Sequence, residues 1–264
     1  MLISVVLPSR LAPLDAATPD GRWFVERALD CIERQTVLAD GHRIEAVVGV
    51  DPGQGQRAGL RLGARARVAE AEAGGQAQAL NAAAAAIRGD FVAFLEDDDW
   101  WDDDYLAFAL RALQQVDFVS STQLERTPDG TILRIFDYPT PSSWVMRRAV
   151  WDAVGGFDPG YRWHLDSDWL GRLREQDAKR LHFVEATAPI TLNEIGESRL
   201  QLAYLVRFAR EKLQLARHTR FLPLVTRTVH PGSGMARIRI DPVLRGESQL
   251  EYARLQERFG GLPY

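Results

Sequence analysis

Two hydrophobic rhythms alternate along the first half of the chain. Residues 2–7 form an apolar run, the pattern of a strand covered on both faces. Pro8 and Ser9 end it, and a loop rich in Pro, Asp and Gly follows. Val25, Leu29 and Ile32 then recur at helical spacing and predict a helix over 22–35. Residues 44–50 predict a second strand, closed by Asp51-Pro52-Gly53. Gly74-Gly75 opens a helix that runs through Leu80 and five consecutive alanines to Ile87. Alanine is the best helix former, and its small side chain lets a helix approach a sheet closely. Gly89 stops that helix, and residues 91–95 are the next buried strand.

Asp102, Asp103 and Asp104 stand where a helix running to about Gln115 wants acidic caps. Beyond it the pattern predicts a strand at 118–121 and a hairpin over 123–136 about Pro128-Asp129-Gly130. Short helices follow at 147–154 and 166–174. Leu202, Leu205, Val206, Ala209, Leu213 and Ala216 keep helical spacing, and a basic, loop-rich tail comes after. The β-α-β order predicts an α/β fold, a mostly parallel central sheet with helices on both faces. With no repeat and no linker, the chain reads as one domain with a C-terminal extension of helix and loop.

Composition narrows the class. A hydrophobic content of 46% rules against global disorder, and a net charge of −4 gives no reason to expect a nucleic-acid partner. The single cysteine, Cys31, excludes an internal disulfide and lies on an apolar helix face, which reads as core rather than nucleophile. The start has no basic leader, and no run reaches the ~18–20 apolar residues of a membrane span. The expectation is a cytoplasmic protein without a transmembrane segment. Charge is nonetheless uneven. Between 199 and 239 nine cations (Arg199, Arg207, Arg210, Lys212, Arg217, Arg220, Arg227, Arg237 and Arg239) face one acid, Glu211.

The most informative segment is Glu96-Asp97-Asp98-Asp99, four carboxylates directly after a buried strand. In open α/β sheets ligands sit beyond the carboxyl ends of strands. Four adjacent anions repel one another unless a cation joins them, and hard oxygen donors suit Mg²⁺ or Mn²⁺ beside phosphate oxygens. A solvated loop is the alternative, which suits Asp102–104 better than Glu96–99.

Here a resemblance emerges. The stretch from Phe94 to Trp101, with its acids, looks like the Asp-x-Asp segment of family-two glycosyltransferases of the GT-A fold. Gly75-Gln76-Ala77-Gln78-Ala79-Leu80-Asn81 is similar to their Gly-x-x-x-Ala-(Arg/Leu)-Asn helix. Ser4-Val5-Val6-Leu7-Pro8 resembles their first strand, Gln35-Thr36 the end of their first helix, and residues 45–51 their second strand. Gly155-Gly156-Phe157-Asp158 and Leu165-Asp166-Ser167-Asp168-Trp169 resemble the segment that ends in their Glu-Asp pair. The series covers about 2–174. It departs at Val50, where only Asp51 remains of two aspartates, at Glu96, the first acid of the metal motif, and at Leu165, which replaces the Glu of the pair.

The resemblance implies a nucleotide-diphospho-sugar transferase. Its catalytic domain spans 1–195, with a nucleotide-binding half to about 101 and an acceptor half after it; 196–264 pack against the same domain. The implied activity is inverting transfer of a sugar, from a UDP-sugar in the first place, to an acceptor hydroxyl of unknown identity. Pro8, Ser9 and Asp51 line the nucleoside pocket, with Asn81 and Asp97 also on the donor side. Asp98 is the implied ligand of Mn²⁺ or Mg²⁺, with Glu96 beside it; Asp97 and Asp99 offer other registers. His230 is the candidate third ligand. Asp166 is the candidate general base, in competition with Asp168 and with a role as helix cap. Arg65 and Arg67 are candidates for the base or phosphate, or solvated. Trp100, Trp101, Trp144 and Trp163 offer rings for a sugar face or for the core. Arg227, Arg237 and Arg239 flank the His230 loop and are expected to serve the diphosphate and close over it; Arg207, Arg210 and Arg217 are expected on the exposed side of a helix, where they either solvate that face or meet an anion such as a membrane surface. Two rival readings are a sugar-phosphate nucleotidyltransferase, which wants a Gly-rich loop absent after the first strand, and a non-catalytic nucleotide- or carbohydrate-binding module.

Overall fold

The computed structural model describes residues 1–15, 17–18, 21–185, 188–190 and 223–261. The expected helix over 202–216 and the cations Arg199, Arg207, Arg210, Lys212, Arg217 and Arg220 lie outside the described residues. The chain first alternates strand and helix: β1 (Leu2–Ser9), α1 (Phe24–Glu33), β2 (Arg43–Val50), α2 (Gly55–Leu62), β3 (Arg67–Glu70), α3 (Gln76–Ala85) and β4 (Phe91–Phe94). It continues through β5 (Trp100–Trp101), α4 (Tyr105–Ala112), β6 (Phe118–Ser121), β7 (Gln123–Arg126), β8 (Ile132–Phe136), β9 (Val145–Arg147), α5 (Arg148–Val154), α6 (Leu165–Arg174), β10 (Arg180–Glu185) and β11 (Ala188–Ile190). The tail adds β12 (Val225–Thr228), α7 (Gly234–Ile240) and α8 (Pro242–Phe259).

The main sheet has eight strands in the order β11-β10-β6-β9-β4-β1-β2-β3. From β3 to β4 all pairings are parallel. β9 runs antiparallel to both β4 and β6 and joins the two halves. Neighbouring residues of a strand point to opposite faces, and both faces are apolar here. Val5, Leu7, Val48, Ala93 and Leu95 pack with α1 and α4 in one core; Val6, Val47, Val92 and Phe94 pack with α3, α5 and α6 in the other. Helices therefore cover both faces, as the periodicity predicts. In the second core Phe94, Trp144, Trp151, Phe157 and Trp169 pack ring against ring, mostly tilted or edge to face, with centroids 4.9–6.3 Å apart.

Several local expectations need correction. α2 and β3 gave little pattern: only Ala58 and Leu62 of α2 are buried, and β3 is a four-residue strand at the sheet edge. The carboxylates of Asp103 and Asp104 do not cap α4. They bond across to Arg34 (3.2 Å) and Thr36 (2.9 Å), while Gln35 holds the Asp102 carbonyl and the Leu106 amide. The Gln-Thr pair after α1 is thus a dock for the α4 entrance. The tail is helical rather than loop-rich. Asp241 caps α8 by accepting from the amides of Val243 (2.9 Å) and Leu244 (3.3 Å), Pro242 starts it, and Gly260 ends it at φ +73°. The tail's strand β12 lies between β5 and β7 in a second sheet, β5-β12-β7-β8. No helix among the described residues is long and apolar enough to cross a membrane.

Gly49 marks the closest approach of helix and sheet. A Cβ there would lie 1.9 Å from the Ala79 carbonyl oxygen in α3. Backbone cannot yield as a side chain does, so Gly49→Ala is expected to cost about 1–3 kcal/mol. Urea unfolding monitored by tryptophan fluorescence measures it, and an unchanged midpoint would show that α3 slides freely on β2.

Candidate active site

The site forms where the parallel strands β1, β2 and β4 end side by side. Pro8 and Ser9 are the last residues of β1 rather than a loop. The Ser9 hydroxyl donates to Asp97 Oδ2 (2.5 Å) and accepts from the Leu11 amide (3.0 Å). Leu11 has φ +54°, alone in that region among the described non-glycine residues, and its side chain is buried. A left-handed leucine is costly and persists only when its surroundings over-determine it. At the end of β2, Asp51 accepts from the Gly75 amide at the start of α3 (2.9 Å). Glu70 grips the amides of Gly53 (2.9 Å) and Gly55 (2.6 Å), fixing the loop after Asp51. Asn81 ties α3 to the segment between α5 and α6: its amide clasps the carbonyl and the amide of Phe157, both at 2.8 Å.

The four carboxylates after β4 fan out to four partners. Glu96 accepts from Gln76 (2.5 Å), Asp97 from Ser9, and Asp98 meets His230 Nε2 at 3.0 Å. Asp99 is buried, one oxygen taken by the Ser142 hydroxyl (2.6 Å) and the other by the Thr228 amide (2.8 Å). The Asp98 carbonyl accepts from both the Arg27 guanidinium and the Thr228 hydroxyl. Arg27 is itself held between the rings of Trp100 and Phe24, 4.5 and 5.2 Å from their centroids. His230 stacks on Phe24 at 5.2 Å, and its Nδ1 accepts from the Gly232 amide, which leaves the proton on Nε2 facing Asp98. Glu96, Asp98 and Asp99 present oxygens that all lie within 4.8 Å of one another. Hard donors so placed fit a divalent cation, the Asp99 oxygens each already accepting one hydrogen bond. His230 lies outside that trio: its Nε2–H is turned to Asp98, and it would join the donors only on giving up that proton.

Asp166 faces the same cleft. It lies in the first turn of α6, which begins at Leu165, with His164 rather than Asp166 at the N-cap. One oxygen accepts from the Ser167 amide (2.7 Å); the other has no partner among the described residues. The Ser167 hydroxyl contacts both Asp166 and the Tyr138 hydroxyl. Asp168, the rival base, is buried between Arg172 (2.9 Å) and Arg258 (3.0 Å), which take both its oxygens. Arg227 is no loop residue. It sits on β12, its side chain largely buried, paired with Glu125 at 3.0 Å. Arg237 and Arg239 lie on α7. Arg65 pairs with Asp30 and Glu33, and Arg67 with Glu45, so both serve the scaffold. Trp101 and Trp144 are core residues, and Cys31 is buried, its thiol pushed up to about 11 by that burial. Sequence reading missed Arg27, Gln76, Ser142 and Thr228, whose sites are assembled across distant segments.

Crowded anions hold their protons. Burial first, and then the charge of Asp98, push Glu96 and Asp97 up to about 7; the same causes raise Asp99 well above the usual carboxylate range. Asp166 is raised by burial, against the pull of His164, Ser167 and Arg227. Burial opposes the charge on Arg227, but Glu96, Asp99 and Glu125 outweigh it and raise its affinity for the proton. Glu96, Asp166 and Arg227 thus sense one another's charge across the cleft.

No curated protein matches the chain in sequence. Residues 54–150, from the turn before α2 into α5, match Glycosyl transferase family 2. Among solved structures, S. aureus TarS 1-349 in complex with UDP is similar, with a TM-score of 0.53 and 13% identity over 88% of this chain and 61% of that one. A longer S. aureus TarS structure gives a TM-score of 0.53 and 14% identity over 83% of this chain and 41% of that one. The chain spans less than two thirds of either neighbour, and at such identities the likeness is one of fold, GT-A. The matched segment is similar to that family, and the fold is the GT-A fold.

The raised carboxylates set a sign for stability against pH. Between about pH 4 and 7 the folded chain keeps protons on Glu96 and Asp97 that the unfolded chain has released, so their contribution falls as pH rises. Buried His182, pushed down to about 3, slopes the opposite way below about 6.5, so the cluster is best isolated by difference. In EDTA, Asp97→Asn is expected to raise Tm at about pH 8 and leave it near wild type at about pH 4. The same shift at both values would remove the electrostatic account.

Proposed function

We propose that the chain transfers a sugar from a nucleoside-diphosphate donor, a UDP-sugar, to an acceptor hydroxyl with inversion at the anomeric carbon. The observation that carries this reading is the convergence of Asp98, His230, Glu96 and Asp166 on one cleft at the carboxyl ends of β1 and β4. The UDP in the similar TarS structure supports the choice of base. The donor nucleoside lies against Pro8, Ser9 and Asp51, whose carboxylate is already oriented by Gly75 and accepts a ring N–H. Asp97 keeps Ser9 in place, and Asn81 acts from behind, holding the Phe157 turn that leads to α6.

Asp98, Glu96 and His230 would hold Mn²⁺ or Mg²⁺, with Asp99 fixing the loop that carries them. The cation supplies positive charge against the diphosphate as it departs. Arg227 adds a fixed cation in the same cleft and needs no reorganisation to act. On the opposite side the unpartnered oxygen of Asp166 takes the acceptor proton as the hydroxyl oxygen attacks. Its raised proton affinity brings it nearer to the working range of a general base.

Two substitutions separate binding from chemistry. Asp98→Ala is expected to weaken UDP binding in Mn²⁺ to the level seen in EDTA; equal affinity in wild type and variant under both conditions would end the metal assignment. Asp166→Asn keeps shape and loses the basic lone pair. Its kcat is expected to fall by about 10²–10⁴ with donor affinity unchanged. A panel of UDP-, GDP- and dTDP-sugars, scored by thermal shift with Mn²⁺, identifies the donor. Stabilisation without turnover favours a non-catalytic binding module.

A further inference from the structure

The C-terminal helix reaches back to the turn that sets Asp166. Glu251, on α8 and buried, accepts from three consecutive amides: Arg162 (2.8 Å), Trp163 (2.8 Å) and His164 (3.0 Å). These residues lead directly into α6, and Asp166 is two residues beyond the last of them. Such a triple acceptor fixes three peptide planes at once, and bonds to a carboxylate are roughly twice as strong as neutral ones. The neighbouring contacts are weaker versions of the same grip. Ser248 meets the His164 ring at 2.9 Å, and Glu247 meets the Trp163 indole at 3.1 Å. The far end of α8 holds α6 as well: Arg258 pairs with Asp168, and the Phe259 ring lies against Gly171, where a Cβ would come within 2.5 Å.

We infer that Glu251 is a positioning residue for the transfer step, which aims the free oxygen of Asp166 by locking the 162–164 backbone. The inference rests on the reading of Asp166 as general base. Both Glu251 oxygens are engaged by these amides, so its effect is expected on kcat and not on donor binding. A displacement of the base by about 1 Å is enough to cost on the order of 10²-fold.

The test uses the full chain and hydrolysis or transfer of the nucleotide sugar that ranks first in the donor panel. Glu251→Gln keeps the volume but turns an N–H toward donors, and Glu251→Asp is too short to span all three amides. Both are expected to lower kcat by about 10- to 100-fold with the donor KM unchanged, and to speed hydrogen exchange of the peptide over 160–170. Leu255→Ala, fully buried on the same helix, is the control for a loosened α8: it lowers Tm and keeps kcat. In an Asp166→Asn background, Glu251→Gln is expected to cost nothing further, because it acts through the base. Equal kcat losses in Glu251→Asp and Leu255→Ala would make Glu251 merely structural, and normal turnover in Glu251→Gln would overturn the inference outright. Failure of the underlying reading shows separately, as full turnover in Asp166→Asn alone.

Discussion

Mutual repulsion of four carboxylates within four residues is the constraint around which the rest of the site is built. Each acid has been given its own direction and its own partner: Gln76 from α3, Ser9 from β1, His230 from the tail, and Ser142 with Thr228 from opposite sides. Only by satisfying Asp99 completely does the loop turn Asp98 and Glu96 toward the cleft. The residual cost of burying these charges appears as raised proton affinity, with Arg27 and Arg227 supplying the countercharge. So much unfavourable charge on one strand end suits the proposed cation and diphosphate better than it serves stability.

The tail belongs to this arrangement rather than decorating it. β12 inserts between β5 and β7, so that Thr228 and Arg227 reach the acids from one side, while α8 secures α6 and Asp166 from the other. A domain description that ends before the tail therefore divides a single site.

Much of this was legible in the chain. Apolar runs gave β1, β2 and β4, and the alanines of α3 announced a close helix–sheet contact that Gly49 completes. The acids after β4 declared the ligand end. What stayed hidden was of two kinds. α2 and β3 bury too little to leave a period, and one of them is an edge strand. Partners such as Arg27 and Glu251 carry no local mark, because their meaning arises only from residues about 70 to 90 positions away. The helical tail is a different case: Asp241-Pro242 and Gly260 are plain start and stop signals, outweighed by the surrounding cations.

The contact of His230 with Asp98 spans 132 positions of sequence, and that separation orders events during synthesis. When the ribosome has delivered the acidic strand end, the proposed nucleoside cradle of β1, β2 and α3 is already present, yet Asp99 lacks Thr228, Asp98 lacks His230, and α6, once made, lacks Glu251. Those contacts arrive with residues 225–259. A nascent chain can thus complete its sheet core long before the proposed cleft is assembled, which waits for residues 225–259.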